Sequence, residues 1–64
     1  MSERGLEILK LYAEGKSRRE ISEKLFISVK TVGTHKQHIF EKLGLSSNAD
    51  MVKYAIKEGL IQLQ

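Results

Sequence analysis

Arg18 and Arg19 directly follow Ser17, and Glu20 stands three residues beyond that serine. Ser-x-x-Glu has the form of a capping box at a helix start. Both arginines therefore fall in a first turn, where the free N–H groups already carry partial positive charge. Cations are normally avoided there, so this pair points to an anionic partner, above all phosphate. Other side chains capable of chemistry are accounted for more simply. His35 and His38 are spaced i, i+3 and could share a metal ion, but the chain has no cysteine and no suitable third ligand nearby. The sequence predicts no metal site and no cofactor; His35 is expected to donate to a phosphate or to pack at a helix junction. Ser2, Ser17, Ser28 and Ser47 each open a helical pattern, which makes them caps rather than nucleophiles or phosphorylation sites. Glu20, Glu23 and Glu41 form no carboxylate pair beside a nucleophile; capping, or i, i+4 pairing such as Glu20–Lys24, explains them. No catalytic residue emerges.

These groups sit on a chain of 64 residues with no cysteine, proline or tryptophan. That length allows one small domain, residues 1–64, too small to wall a catalytic cleft, which argues against an enzyme. No apolar run approaches the roughly 20 residues that span a bilayer. No apolar stretch with a cleavage site follows the N-terminus, so nothing points to export and the expected location is cytoplasmic. The formal net charge is +3, and all of it lies in the middle of the chain. Residues 17–44 carry Arg18, Arg19, Lys24, Lys30, Lys36 and Lys42 against Glu20, Glu23 and Glu41, while the two flanks are each balanced. Such a local excess suits a phosphate-binding face, and equally a solvated helix surface.

Glycines and serines divide the chain into four helical pieces. Ser2 precedes Leu6, Ile8, Leu9, Tyr12 and Ala13, an apolar stripe that stops at Gly15. Ser17 opens a short second helix with Ile21 and Leu25 on one side. Ser28 opens the third, with Val29, Val32, Ile39, Phe40 and Leu43 apolar and Gly44 as its stop. The fourth runs from about Ser47 to Glu58, with Met51, Val52, Ala55 and Ile56 apolar, and ends at Gly59. Tyr12, Tyr54, Phe26 and Phe40 are expected in the core. The tail, residues 60–64, alternates but is too short for a strand. The fold class is all-α, a four-helix bundle-like domain.

Only Phe26, Ile27 and Ser28 separate the second and third helices. So tight a turn forces a steep crossing, the geometry of a helix-turn-helix whose second helix enters the DNA major groove. Lys30, Gly33, Thr34 and Gln37 follow i, i+3, i+4, i+7 and share one polar side of that helix, opposite Val32, Ile39 and Leu43.

Three segments carry a family resemblance: Gly15-Lys16-Ser17-Arg18-Arg19-Glu20-Ile21-Ser22, then Leu25-Phe26-Ile27-Ser28-Val29-Lys30-Thr31-Val32-Gly33-Thr34-His35, then Lys42-Leu43-Gly44-Leu45. Together they closely resemble the LuxR/FixJ-type (GerE-like) helix-turn-helix DNA-binding domain of bacterial transcription regulators. That domain is the output module of many response regulators and quorum sensors, and it also occurs as short stand-alone regulators. The resemblance implies sequence-specific binding of double-stranded DNA. It places the recognition helix at residues 28–43, with base-facing positions Lys30, Gly33, Thr34 and Gln37. Phosphate contacts are implied at Ser17, Arg18 and Arg19, and around Thr31, His35 and Lys36. The fourth helix would form a weak homodimer seam through Ala49, Val52, Lys53 and Ile56, and RNA polymerase is a further partner the resemblance admits. The sequence departs from the family pattern at Gly33, where relatives commonly have Lys, at Asn48, where they often have Arg, and at Gly5, where Glu is usual.

Two rivals remain at this level. A helical adaptor or antiactivator could use the same fold with its basic side idle, and a sigma-factor region 4 domain also reads DNA through a helix-turn-helix. The Ile27-Ser28-x-x-Thr31-Val32 turn and the fourth helix favour the LuxR type over the latter.

Overall fold

In the computed structural model, which describes residues 2–62, each serine that opens a helical pattern does so by accepting a backbone N–H. Ser2 Oγ accepts from Gly5 N at 3.1 Å and opens α1, Glu3–Ala13. Ser17 Oγ accepts from Glu20 N at 3.1 Å while the Glu20 carboxylate accepts from Ser17 N at 3.0 Å, a complete capping box at the start of α2, Arg18–Leu25. Ser28 Oγ accepts from Thr31 N at 3.0 Å and shares a 2.8 Å hydrogen bond with the Thr31 hydroxyl, opening α3, Val29–Leu43. Thr31 thus strengthens a cap that lacks the glutamate of a capping box. Ser47 Oγ accepts from Asp50 N at 3.2 Å ahead of α4, Asn48–Lys57. These bonds satisfy N–H groups that a helix start leaves without partners. No strand occurs among the described residues. Residues 60–62 are irregular, and the remainder of the tail lies outside the described residues.

Two caps are strengthened by charge. The Ser17 backbone N–H, then its hydroxyl, hold the Glu20 carboxyl below its ordinary pKa. The Ser46 backbone N–H, then its hydroxyl, do the same for Asp50. Groups lowered in this way stabilise the fold above the carboxylate pKa of the unfolded chain. That contribution is lost as pH falls below about 4 and through the lowered values.

α1 is the hub: it packs against α2, α3 and α4, and α2 packs against α3. Surrounded on three sides, α1 buries a broad arc that includes Ile8, Leu9, Leu11, Tyr12 and Ala13. Leu11, absent from the expected stripe, is buried for this reason, whereas Leu6 falls beyond the arc and is exposed. Ile21 of α2, Val32 and Ile39 of α3, and Met51 of α4 complete the core, with Leu25, Ile27, Phe40 and Leu43 packed against it.

Phe26 is not in the core. It adopts a left-handed conformation, φ 58°, at the end of α2, and its side chain is 95% exposed. The reversal of handedness lets Ile27 pack on the core while its neighbour faces solvent. Val29, expected on the apolar side of α3, is likewise exposed at the edge of the turn. Gly44 ends α3 in the same left-handed conformation at φ 68°, where the absence of a Cβ removes the penalty. Phe26 bears that penalty of about 1–2 kcal/mol without evident packing in return. Phe26→Gly is therefore expected to stabilise the domain by about 1 kcal/mol, raising its Tm by about 4–8 °C. A lower Tm in a thermal melt would reveal that the ring makes a stabilising contact.

The expected Glu20–Lys24 pair does not form, because the capping box takes the Glu20 carboxylate. The ion pair on this helix is Arg19–Glu23 at 3.9 Å, exposed on both sides and so of little energetic weight.

Candidate nucleic-acid interface

The short turn of residues 26–28 sets α2 and α3 against each other and leaves one side of α3 open to solvent. Lys30, Thr34 and Gln37 are exposed on that side, with Gly33 half-buried among them. The Thr34 hydroxyl donates to the Lys30 carbonyl at 3.1 Å, which fixes its rotamer and leaves oxygen lone pairs and a methyl group outward. Gln37 Nε2 donates to Glu41 Oε1 at 3.4 Å. Glu41 was not among the expected site residues, although its i, i+4 spacing from Gln37 was visible in the sequence. A carboxylate at this end of the open side holds the Gln37 amide and would repel a phosphate placed beside it.

Arg18 joins the two helices. A Cβ built on Gly33 would meet the Arg18 guanidinium at 3.9–4.0 Å, ordinary van der Waals contact. The side chain of the first residue of α2 thus reaches the N-terminal half of α3. Arg18 has no hydrogen bond or ion pair among the described residues, unlike Arg19 with its loose Glu23 partner. Ser17, committed to the capping box, sets the start of the helix that carries both arginines.

Two expected phosphate-contact residues are half-buried. Lys36 is half-buried, with its ammonium 4.9 Å from the Tyr12 ring centroid and 5.5 Å from that of Phe40. A cation held over two aromatic faces is attracted by their quadrupoles and helps seal the α1–α3 junction. His35 is half-buried and lines a cleft at the start of α1 with Ser2, Gly5, His38 and Lys42. Gly5 itself is buried there, where a side chain of the usual Glu would have to be accommodated. Thr31 is exposed beside Ser28 at the leading edge of α3. Among the described residues no group of three or more His, Cys, Asp or Glu is arranged to hold a metal ion. No helix there is long and apolar enough to cross a membrane.

On α4, Ala49 and Lys53 are exposed while Val52 and Ile56 are half-buried. The latter two line a shallow groove with Lys10 and Ala13 of α1 and Leu60 beyond α4. By helical spacing all four share one side, adjacent to the buried Met51 and Ala55.

The arrangement recurs in known proteins. Residues 1–55 match the model of a family described as bacterial regulatory proteins, luxR family. The chain is 55% identical over 62 residues to the oxygen regulatory protein NreC of Staphylococcus aureus strain JH9, and equally so to that of strain NCTC 8325. Each match covers 97% of this chain and 29% of the relative, so the chain spans less than a third of those proteins. Among solved structures, the response regulator ChrA of a heme-sensing two-component system superposes with a TM-score of 0.83 at 42% identity. That superposition covers 94% of this chain and 30% of ChrA.

Proposed function

The chain belongs to the luxR family of bacterial regulatory proteins, DNA-binding transcription regulators, and from that premise we propose that residues 1–64 form the output domain of a response regulator, reading an operator as a homodimer. The observation that carries this reading is the open polar side of α3, where Lys30, Gly33, Thr34 and Gln37 lie together beside Arg18. A helix-turn-helix places that side against base edges in the major groove. Arg19, with the cap residues Ser17 and Thr31, sits toward the backbone, and the family pattern adds His35 and Lys36 to the phosphate contacts. For Lys36 that role requires its ammonium to leave the Tyr12 and Phe40 rings. The domain acts by binding rather than by catalysis, in the cytoplasm, with RNA polymerase as the downstream partner. The likeness to NreC and ChrA, a regulatory protein and a response regulator, supports an input domain elsewhere in a longer protein.

Homodimerisation uses the α4 side bearing Ala49, Val52, Lys53 and Ile56. One helix of this length offers far less than the roughly 1,200–2,000 Å² of a stable interface. Pairing is therefore weak in solution and completed on a duplex that holds two copies side by side. Ile56→Glu is expected to weaken binding to a duplex with two half-sites by about tenfold more than to one with a single half-site. The two affinities, measured by fluorescence anisotropy, check this. Equal losses would assign Ile56 to internal packing against α1 and remove α4 from the dimer.

A further inference from the structure

We propose that Arg18 and Gly33 form one reading element: the bare stretch of α3 at Gly33 carries the Arg18 guanidinium into the base-reading side, where it recognises a guanine. The inference rests on the reading that α3 enters the major groove.

Gly33 is the first observation. It lies in the interior of a 15-residue helix and does not adopt a left-handed conformation. Its backbone therefore has no need of glycine, yet glycine there costs about fivefold in helix stability relative to alanine, the equivalent of ~1 kcal/mol. Space alone does not require it either, since an added Cβ would sit at 3.9–4.0 Å from Arg18. A side chain extending beyond Cβ would compete with the Arg18 guanidinium for this space and displace it.

The second observation is Arg18 itself. Arginine at the start of a helix has a long, flexible side chain, and its neighbour Arg19 reaches along its own helix toward Glu23. Arg18 instead crosses to α3. Its guanidinium rests over residue 33, three residues after Lys30 and four before Gln37 on the same side of the helix. It makes no hydrogen bond or ion pair among the described residues, so its five N–H donors remain available. The planar guanidinium presents its donors as a fixed fork, so fewer internal rotations are lost per hydrogen bond than for a lysine. Guanine presents N7 and O6 in the major groove as a matched pair of acceptors, and arginine meets them with two parallel hydrogen bonds. Arg19, exposed and only loosely paired with Glu23, remains available to a phosphate at the rim.

Binding-site selection from a library of random duplexes tests the element, followed by titration of the selected duplex and of versions changed at single base pairs. Wild-type protein is expected to select a guanine at one position of each half-site. Arg18→Ala is expected to lose about tenfold or more of the discrimination at that position while keeping its preferences elsewhere. Arg18→Lys keeps the charge and the salt dependence, but a point charge cannot pair with both acceptors, so the same discrimination falls. Gly33→Met, long and without donors, displaces the guanidinium and changes preference at that same position, whereas Gly33→Ala leaves it intact and raises the melting temperature. Circular dichroism of each variant confirms the helical fold. If Arg18→Ala weakens every duplex by one factor and flattens the salt slope by about one unit, Arg18 contacts phosphate only and the proposal is overturned. It is likewise overturned if Gly33→Met leaves the preferred sequence unmoved. Failure of the wild-type chain to bind any duplex in a salt-dependent way would instead remove the DNA-binding reading beneath it.

Discussion

A Leu9→Ala chain is expected to melt near or below ambient temperature. Leu9 is fully buried on α1, the helix that packs against all three others. Truncating a buried leucine costs about 2–5 kcal/mol, because transfer energy is lost and a cavity remains where neighbours cannot close in. At roughly 0.05–0.15 kcal/mol per residue, a chain of this size has about 3–10 kcal/mol of stability in total. At the middle of both ranges, one substitution therefore removes about half of it. The core has few fully buried large side chains to share the loss: Ile8, Ile21, Val32 and Met51 are the others. Thermal melts followed by circular dichroism at the helix band measure the effect. A loss below about 1 kcal/mol would show that α2, α3 and α4 can shift to refill the space, contrary to a close-packed hub.

The second large effect concerns salt. Affinity for random duplex DNA is expected to fall about fortyfold when monovalent salt is raised fourfold, on the assumption that one domain neutralises about three phosphates at a slope of about −0.9 for each. The central segment supplies the charge: the balanced flanks leave the whole net charge of +3 in residues 17–44. Arg19 and Lys30 are exposed, and the solvated Arg19–Glu23 contact is weak enough to yield to a phosphate. Lys36 is a poorer donor of charge because its ammonium already lies over Tyr12 and Phe40. Arg19→Ala should accordingly flatten the slope by about one unit, and Lys36→Ala by less. A slope near zero for the wild-type chain would place the basic segment outside any nucleic-acid interface.

The elements were legible because their punctuation is chemical. Ser2, Ser17, Ser28 and Ser47 open the four helices as their types predict, and Gly44 stops α3. The open side of α3 was legible for a related reason, since i, i+3, i+4, i+7 spacing is set by the backbone alone. Phe26 was misread because an apolar residue beside Ile27 looks like core until the chain reverses its handedness there, and phenylalanine gives no signal of that reversal. Leu11 was missed because the width of a buried arc depends on how many helices surround it, which one helix cannot disclose. The same limit hid the Arg18–Gly33 contact and the stacking of Lys36. Each joins residues of different helices, and their meeting is fixed by the crossing of those helices rather than by spacing along the chain.

α4 approaches only α1 closely, while α2 and α3 pack on each other as well as on α1. A change on the outer side of α4 reaches α3 only by displacing the central helix. With the proposed homodimer seam on α4 and the proposed base-reading side on α3, mutations that alter which copies associate would be insulated from mutations that alter which bases are read. Over a lineage of duplicated genes the two properties can diverge separately, one paralogue keeping an operator while changing its company, another doing the reverse. The constraint falls instead on α1, whose buried arc serves both halves and so has the least freedom to drift.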